Sequence, residues 1–128
     1  MRILLDTHVL IWWLLDDTAI PAGARAAITD EMNDMLVSAA TAWEISIKYK
    51  SGKLPNIAPL MISLETAILD EGFTGLPITL RHAELAGGLP PHHKDPFDRM
   101  LIAQALAESL TLISHERLFD RYGVVRLW

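Results

Sequence analysis

The sequence predicts an α/β fold with a short parallel sheet covered by helices on both faces. Two observations carry this expectation. Short apolar runs alternate with helical segments from one end of the chain to the other, and those runs are too uniformly apolar to leave one face in water. The length, 128 residues, suits a single domain spanning 1–128 with a real core and one active site. Right-handed crossovers in such a fold bring every strand-to-helix turn to one edge of the sheet, and ligands bind beyond the carboxyl ends of the strands where strand order reverses.

Taken in order, Arg2 to Leu5 is a first strand ending at Asp6, and Thr7 to Leu15 is an apolar helix closed by Asp16-Asp17. Pro21 opens a short second helix to about Ile28. Met35-Leu36-Val37 reads as a buried strand, Ser38 as an N-cap, and Ala39 to Lys50 as a helix stopped by Ser51-Gly52. After a turn at Leu54-Pro55-Asn56, a helix is expected over Pro59 to Glu71, ended by Gly72. Phe73 to Ile78 is a weaker strand, because Gly75 and Pro77 interrupt it, and Thr79 caps a short helix to Ala86. A loop at 87–91 leads to a helix from Pro96 to Ser109. A strand at Leu110 to Ser114, a turn or short helix at Arg117 to Tyr122 and a last strand at Val124 to Leu127 complete the chain.

Composition narrows the function. Apolar residues make up 51% of the chain, yet no run approaches the roughly 18 uninterrupted apolar residues of a membrane span. The excess is read as core plus a self-association surface. The start Met1 to Asp6 turns acidic too soon for a signal peptide, so a cytoplasmic protein is expected. With no cysteine, thiol catalysis and thiolate metal ligands are excluded. A net charge of −5 argues against broad adhesion to nucleic acid but permits a nuclease whose acids gather around a cation.

The chemistry lies in where the isolated acids fall. Asp95 and Asp98 flank the start of a helix, with Pro96 at its first position. By themselves they read either as caps that satisfy orphan backbone donors or as part of a cation site. Asp6 ends the first strand, Glu44 lies near the start of the helix after the second, and Glu116 follows the fourth, so all five acids can face one edge. Each has a local reading: Asp6 as a cap, Glu44 as the i,i+4 partner of Lys48, Glu116 as a solvated turn residue. Their joint placement favours a cation instead, since close carboxylates repel. Oxygen donors without cysteine favour Mg²⁺ or Mn²⁺, and such a site suits attack of water on a phosphate ester.

Other polar residues have two readings each. Thr7 and Ser114 either orient carboxylates or satisfy local backbone. His92, His93, Lys94 and Arg99 either contact substrate phosphates or solvate a loop. Trp12 and Trp13 are read as core and dimer contacts rather than a base-stacking platform.

Three blocks carry a family resemblance: Asp6-Thr7-His8-Val9-Leu10-Ile11-Trp12-Trp13, then Ser38 to Lys48 around Trp43-Glu44-Ile45, then His93-Lys94-Asp95-Pro96-Phe97-Asp98 through Ala105. In this order they resemble the motif blocks of PIN-domain ribonucleases, specifically VapC-type toxins of bacterial toxin–antitoxin pairs. The resemblance implies a three-layer α/β/α fold with strand order 3-2-1-4-5. It also implies a Mg²⁺- or Mn²⁺-dependent endoribonuclease with Asp6, Glu44 and Asp98 as its core acids and Asp95 as an additional one. Where the family usually has Asp in a Thr-x-Asp pattern, this chain has Ser114-His115-Glu116. The implied partners are RNA and a small VapB-like antitoxin, and a homodimer is expected. Two other functions fit parts of the sequence. One is a phosphatase or phospho-receiver using Asp6, against which position 8 holds His rather than a second Asp and the third strand ends without an acid. The other is a non-catalytic PIN-like module that binds RNA or protein.

Overall fold

The computed structural model describes residues Met1–Trp128. Five short strands form one parallel sheet: β1 (Arg2–Leu5), β2 (Asp34–Ser38), β3 (Thr74–Leu76), β4 (Thr111–Ile113) and β5 (Val125–Leu127), in the order β3-β2-β1-β4-β5. Strand order reverses between β1 and β4, so the carboxyl ends of these two neighbours bound the expected crevice.

The alternation of strand side chains sends successive residues to opposite layers. Ile3, Leu5, Met35, Val37 and Ile113 enter one core with Val9, Leu10 and Ile45, whereas Leu4, Leu36, Leu76 and Leu112 enter the other with Leu101, Ile102 and Phe119. Both faces are therefore dry, which is why the strands read as continuous apolar runs. Truncating the fully buried Leu4 or Leu112 to alanine costs about 2–5 kcal/mol.

Six α-helices connect the strands: α1 (Thr7–Leu14), α2 (Ala22–Thr29), α3 (Ala39–Lys50), α4 (Leu64–Asp70), α5 (Leu80–Gly88) and α6 (Pro96–Glu108). The cap of α3 is Ser38, whose hydroxyl accepts from the Ala40 amide at 3.0 Å. At α5, Thr79 and His82 form a reciprocal capping box. The packing of α3 against both α1 and α6 brings the starts of the helices after β1 and β2 close to the start of α6.

Two expectations need correction. The helix expected over Pro59 to Glu71 is split into a 3₁₀ segment, Pro55–Ile62, and α4. Ser63 sits between them in extended geometry and its side chain accepts from the Thr66 amide at 3.2 Å, starting a new helix where the apolar pattern suggested continuity. The strand expected over Phe73 to Ile78 is only Thr74–Leu76, because Pro77 has no N–H to continue the ladder. No helix is long and apolar enough to cross a membrane.

Candidate active site

Asp6 is placed by the sheet. Its amide donates to the Ile113 carbonyl at 3.0 Å, locking the end of β1 to the end of β4. Its side chain is only 3% exposed, and Oδ2 accepts from the Ser114 hydroxyl at 2.6 Å. The same Ser114 oxygen accepts from the Glu116 amide at 2.9 Å. One buried hydroxyl thus ties the carboxylate after β1 to the turn after β4.

Glu44 is treated in the same way on α3. It is buried, Oε1 accepts from the Thr7 hydroxyl at 2.7 Å, and Oε2 accepts from Lys48 Nζ at 2.5 Å. Thr7 therefore orients a carboxylate, and Ser114 does so while also satisfying the local Glu116 amide. Thr41, also buried, lies 3.3 Å from Thr7 Oγ1.

The start of α6 supplies the remaining acids. Asp95 Oδ1 accepts from the amides of Phe97 at 2.8 Å and Asp98 at 3.4 Å, the N-cap geometry its position suggested. Asp98 pairs with His93 Nε2 at 2.8 Å. Because His93 Nδ1 accepts the Asp95 amide at 3.2 Å, the ring proton of the neutral tautomer belongs on Nε2, which donates to Asp98. In that tautomer the imidazole gives Asp98 a hydrogen bond but no positive charge.

Electrostatics join these pieces into one pocket. Burial first, and then the charges of Asp6, Asp95, Glu44 and Glu116, push the Asp98 carboxyl up to about 8. Burial also raises the Asp6 carboxyl, with the Ser114 bond and the nearby His8 and His115 partly opposing it. Burial alone would lower the Lys48 ammonium. The bond to Glu44 and the charges of Glu44, Asp95 and Asp98 outweigh it and hold the ammonium above its ordinary value.

The donor set is carboxylate oxygen throughout, which matches a hard divalent cation such as Mg²⁺ or Mn²⁺. No three acidic or histidine side chains converge tightly enough to enclose an ion by themselves. The residues fit a divalent cation by charge and donor chemistry, with Asp6, Asp98 and Glu44 nearest to the buried centre and Asp95 and Glu116 at the margin. Glu116 Oε1 caps the 3₁₀ turn Arg117–Tyr122 by accepting from Leu118 at 3.2 Å, so it is more than a solvated turn residue.

The loop residues expected at substrate phosphates divide. His92 and Lys94 remain exposed at the rim. His93 is turned inward onto Asp98. Arg99 is a correction: its guanidinium donates to the carbonyls of Pro90, His93, Ala86 and Leu89 at 2.8–3.1 Å, so it fastens the loop before α6. Sequence reasoning missed Tyr122, whose hydroxyl accepts from the His93 amide at 2.6 Å and donates to Pro90 at 2.8 Å. Nothing in the local pattern around Tyr122 points to a loop 29 residues away.

Comparison with known proteins agrees with this architecture. The PIN domain family model matches residues 3–125. Ribonuclease VapC22 of Mycobacterium tuberculosis (strain ATCC 25618 / H37Rv) is 30% identical over 117 residues, covering 90% of this chain and 87% of that protein. Ribonuclease VapC16 of the same organism is 54% identical over 35 residues, a local match to 27% of this chain and 25% of that one. Among solved structures, VapBC2 from Rickettsia felis, bound to a DNA fragment from their promoter, superimposes with a TM-score of 0.66 at 16% identity. That match covers 99% of this chain and 98% of the other. FitAcB from Neisseria gonorrhoeae superimposes with a TM-score of 0.66 at 20% identity, covering 98% and 96%. Fold, motif blocks and relatives agree: the chain belongs to the PIN-domain family and, within it, to the VapC type.

Proposed function

We propose that this chain is a Mg²⁺- or Mn²⁺-dependent endoribonuclease that hydrolyses an RNA phosphodiester in the cytoplasm as the toxin of a toxin–antitoxin pair. The observation that carries the reading is the gathering of carboxylates at one sheet edge, where Asp6 and Glu44 are buried and where burial and four other carboxylates push the Asp98 carboxyl up to about 8: a site that disfavours its own charge favours a cation.

Asp6 and Asp98 would hold the cation, with Asp95 and Glu116 adding negative charge at the margin. A divalent cation there supplies charge stabilisation on the phosphate and acidifies an attacking water. Glu44, its Oε1 fixed by Thr7, orients that water toward phosphorus. Ser114 keeps the Asp6 carboxylate in one rotamer through the reaction. The water oxygen bonds to phosphorus as the bond to the leaving ribose oxygen breaks, the water's proton passing to a carboxylate of the pocket and the leaving oxygen taking up a proton from solvent. The rim residues His92 and Lys94 face the strand as it enters.

The partner follows from the same charge. An acidic pocket in an acidic protein is a receptor for an arginine or lysine, which neutralises the carboxylates in place of the metal. The relatives' names support a ribonuclease, and the VapBC2 and FitAcB assemblies support a small VapB-like antitoxin as the source of that arm. A homodimer is expected from the apolar surplus, including Ile62 and Leu80, at least nine-tenths exposed.

The test is incubation of the purified protein with total RNA and Mg²⁺ or Mn²⁺, followed by mapping of new 5′ ends. New ends that appear only with metal are expected. Cleavage that resists a chelator removes the metal assignment, and no cleavage with either metal removes the nuclease assignment. In cells lacking a related antitoxin, expression of the chain alone is expected to arrest growth. Co-expression of the small open reading frame beside it is expected to relieve the arrest.

A further inference from the structure

Beside the acidic pocket, the carboxyl ends of β1, β4 and β5 carry a second group of side chains that the proposed hydrolysis does not use. His8, Trp12, His115 and Trp128 form one cluster of rings. Ring centroids lie 5.3 Å apart for Trp12–His115, 5.8 Å for Trp12–Trp128 and for His115–Trp128, 5.9 Å for His8–His115 and 6.0 Å for His8–Trp12. The backbone assembles them. His8 follows Asp6-Thr7, Trp12 lies one turn further along α1, and His115 follows the Ser114 that bonds Asp6. The Ser114 amide donates to the Leu127 carbonyl at 3.2 Å, which sets Trp128 against His115.

Core packing involves Trp12, which lies against the core as expected, but does not account for the exposed rings beside it. His8 and His115 are exposed, Trp128 is 38% exposed and Trp12 is half-buried. Trp13 shows what a packing tryptophan looks like here: one neighbour is the buried Phe73, and the Arg25 guanidinium covers its ring at 5.5 Å. In the cluster no two rings are parallel; their planes differ by 41–84°, so ring faces are not used up in mutual stacking. The four side chains include no carboxylate, although the protein carries a net charge of −5. Both histidines are close enough to act electrostatically on Asp6. An anionic strand therefore meets no like-charged side chain on this cluster.

We propose that His8, Trp12, His115 and Trp128 form a base platform that holds an unpaired nucleobase of the RNA strand next to the phosphate in the acidic pocket. This rests on the ribonuclease reading and deepens it. Single-stranded RNA presents splayed bases that stack on aromatic and imidazole faces, whereas a duplex hides them, so the platform selects unpaired segments. The imidazole N–H groups add donors that an apolar patch lacks.

The experiment uses single-stranded oligoribonucleotides with one 2-aminopurine, whose fluorescence falls on stacking, moved position by position along the probe. They are titrated with the full chain in Ca²⁺ in place of Mg²⁺. The parent is expected to quench one position strongly and a duplex of the same sequence hardly at all. Trp128→Leu and His115→Leu are expected to weaken binding about tenfold each, the ordinary worth of one stacked base. Trp128→Phe is expected to restore most of it, with melting temperatures unchanged across the set. The proposal is overturned if the leucine variants bind and quench like the parent, if duplex binds equally, or if the parent quenches no position. Unchanged RNA binding together with lost antitoxin binding in Trp128→Leu would assign the patch to a protein instead. Cleavage of total RNA by the parent separates the two levels. Cleavage with unaltered Trp128→Leu affinity removes the platform alone, and no cleavage removes the reading beneath it.

Discussion

The two halves of the acidic pocket are built by different means. On the sheet side, Asp6 and Glu44 are almost fully buried, and each receives a short hydroxyl bond, from Ser114 and Thr7. On the α6 side, Asp95 and Asp98 stand at the start of a helix, one capping it and the other meeting only a histidine and like charges. The sheet side is ordered by bonds from two hydroxyls and an ammonium. Burial raises a carboxyl on each side, and on the α6 side the charges of the neighbouring carboxylates raise it further. Hydrogen-bonded aiming is thus the stronger feature of the sheet side and charge repulsion that of the α6 side, within one site to which both contribute carboxylates.

The strongest way to break this comparison is to remove charge from either side. Asp6→Asn, Glu44→Gln and Asp98→Asn are each expected to lower metal-dependent RNA cleavage by at least about a hundredfold, because each removes a group that acts at the cation or the water. Asp6→Asn and Asp98→Asn should also match or exceed the parent's melting temperature in chelator. Full activity of Asp98→Asn would reassign that residue to helix capping. Lys48→Ala is expected to change cleavage only a few-fold. If Lys48→Ala were the damaging change and Glu44→Gln the mild one, Glu44 would be merely half of an ion pair.

A finer cut spares the carboxylates and removes the hydroxyls that aim them. Thr7→Val is expected to lower cleavage, and Ser114→Ala to weaken Mn²⁺ binding, measured by the loss of its free electron paramagnetic signal, by about 10–100-fold each. Asp95→Asn retains a capping side chain and should weaken it less. Equal effects on both sides would mean that no such division exists.

The stress at Asp98 has its own signature in pH. Its folded pKa of about 8 lies above the ordinary 3.8, so the folded state binds this proton more tightly than the unfolded chain does. Protonation then contributes stability that is complete below the ordinary carboxylate range and is lost as pH rises toward 8. In chelator, thermal melts should show the parent falling between pH 5 and pH 8, by roughly 5 °C or more. Asp98→Asn should flatten that slope, and Mn²⁺ should reverse it. A flat parent profile would mean that the α6 side is not under stress.

Legibility in the sequence followed the range of each interaction. Asp6 at the end of an apolar run, Ser38 before α3 and Asp95-Pro96 before α6 are local patterns, and the sheet edge they imply is the edge observed. The Glu44–Lys48 pair is likewise readable from i,i+4 spacing. Order β3-β2-β1-β4-β5 came from family resemblance, since local periodicity says nothing about which strands are neighbours. The role of Arg99 is not legible because its acceptors are carbonyls at the end of α5 and in the loop that follows, a partner choice invisible to charge patterning. Trp128 escaped notice for a similar reason: only the pairing of β5 with β4 brings it to Trp12 and His115.

The smallest expected effect concerns Glu116, which belongs to both halves. Its amide is held by Ser114 on the sheet side, its carboxylate caps the following turn, and its charge reaches Asp98 across the pocket. An aspartate here would keep the charge and the ability to cap, while drawing the carboxylate about one methylene back toward the strand end. Glu116→Asp is therefore expected to hold or modestly raise cleavage, within about threefold of the parent. Glu116→Ala, which loses both cap and charge, should lower cleavage several-fold, with a cap's ordinary cost of about 1 kcal/mol in stability. Steady-state cleavage and thermal melts on the same three proteins separate the two roles. If Glu116→Ala melts lower but cleaves normally, the residue is a cap, and the pocket's negative charge is complete with Asp6, Glu44, Asp95 and Asp98.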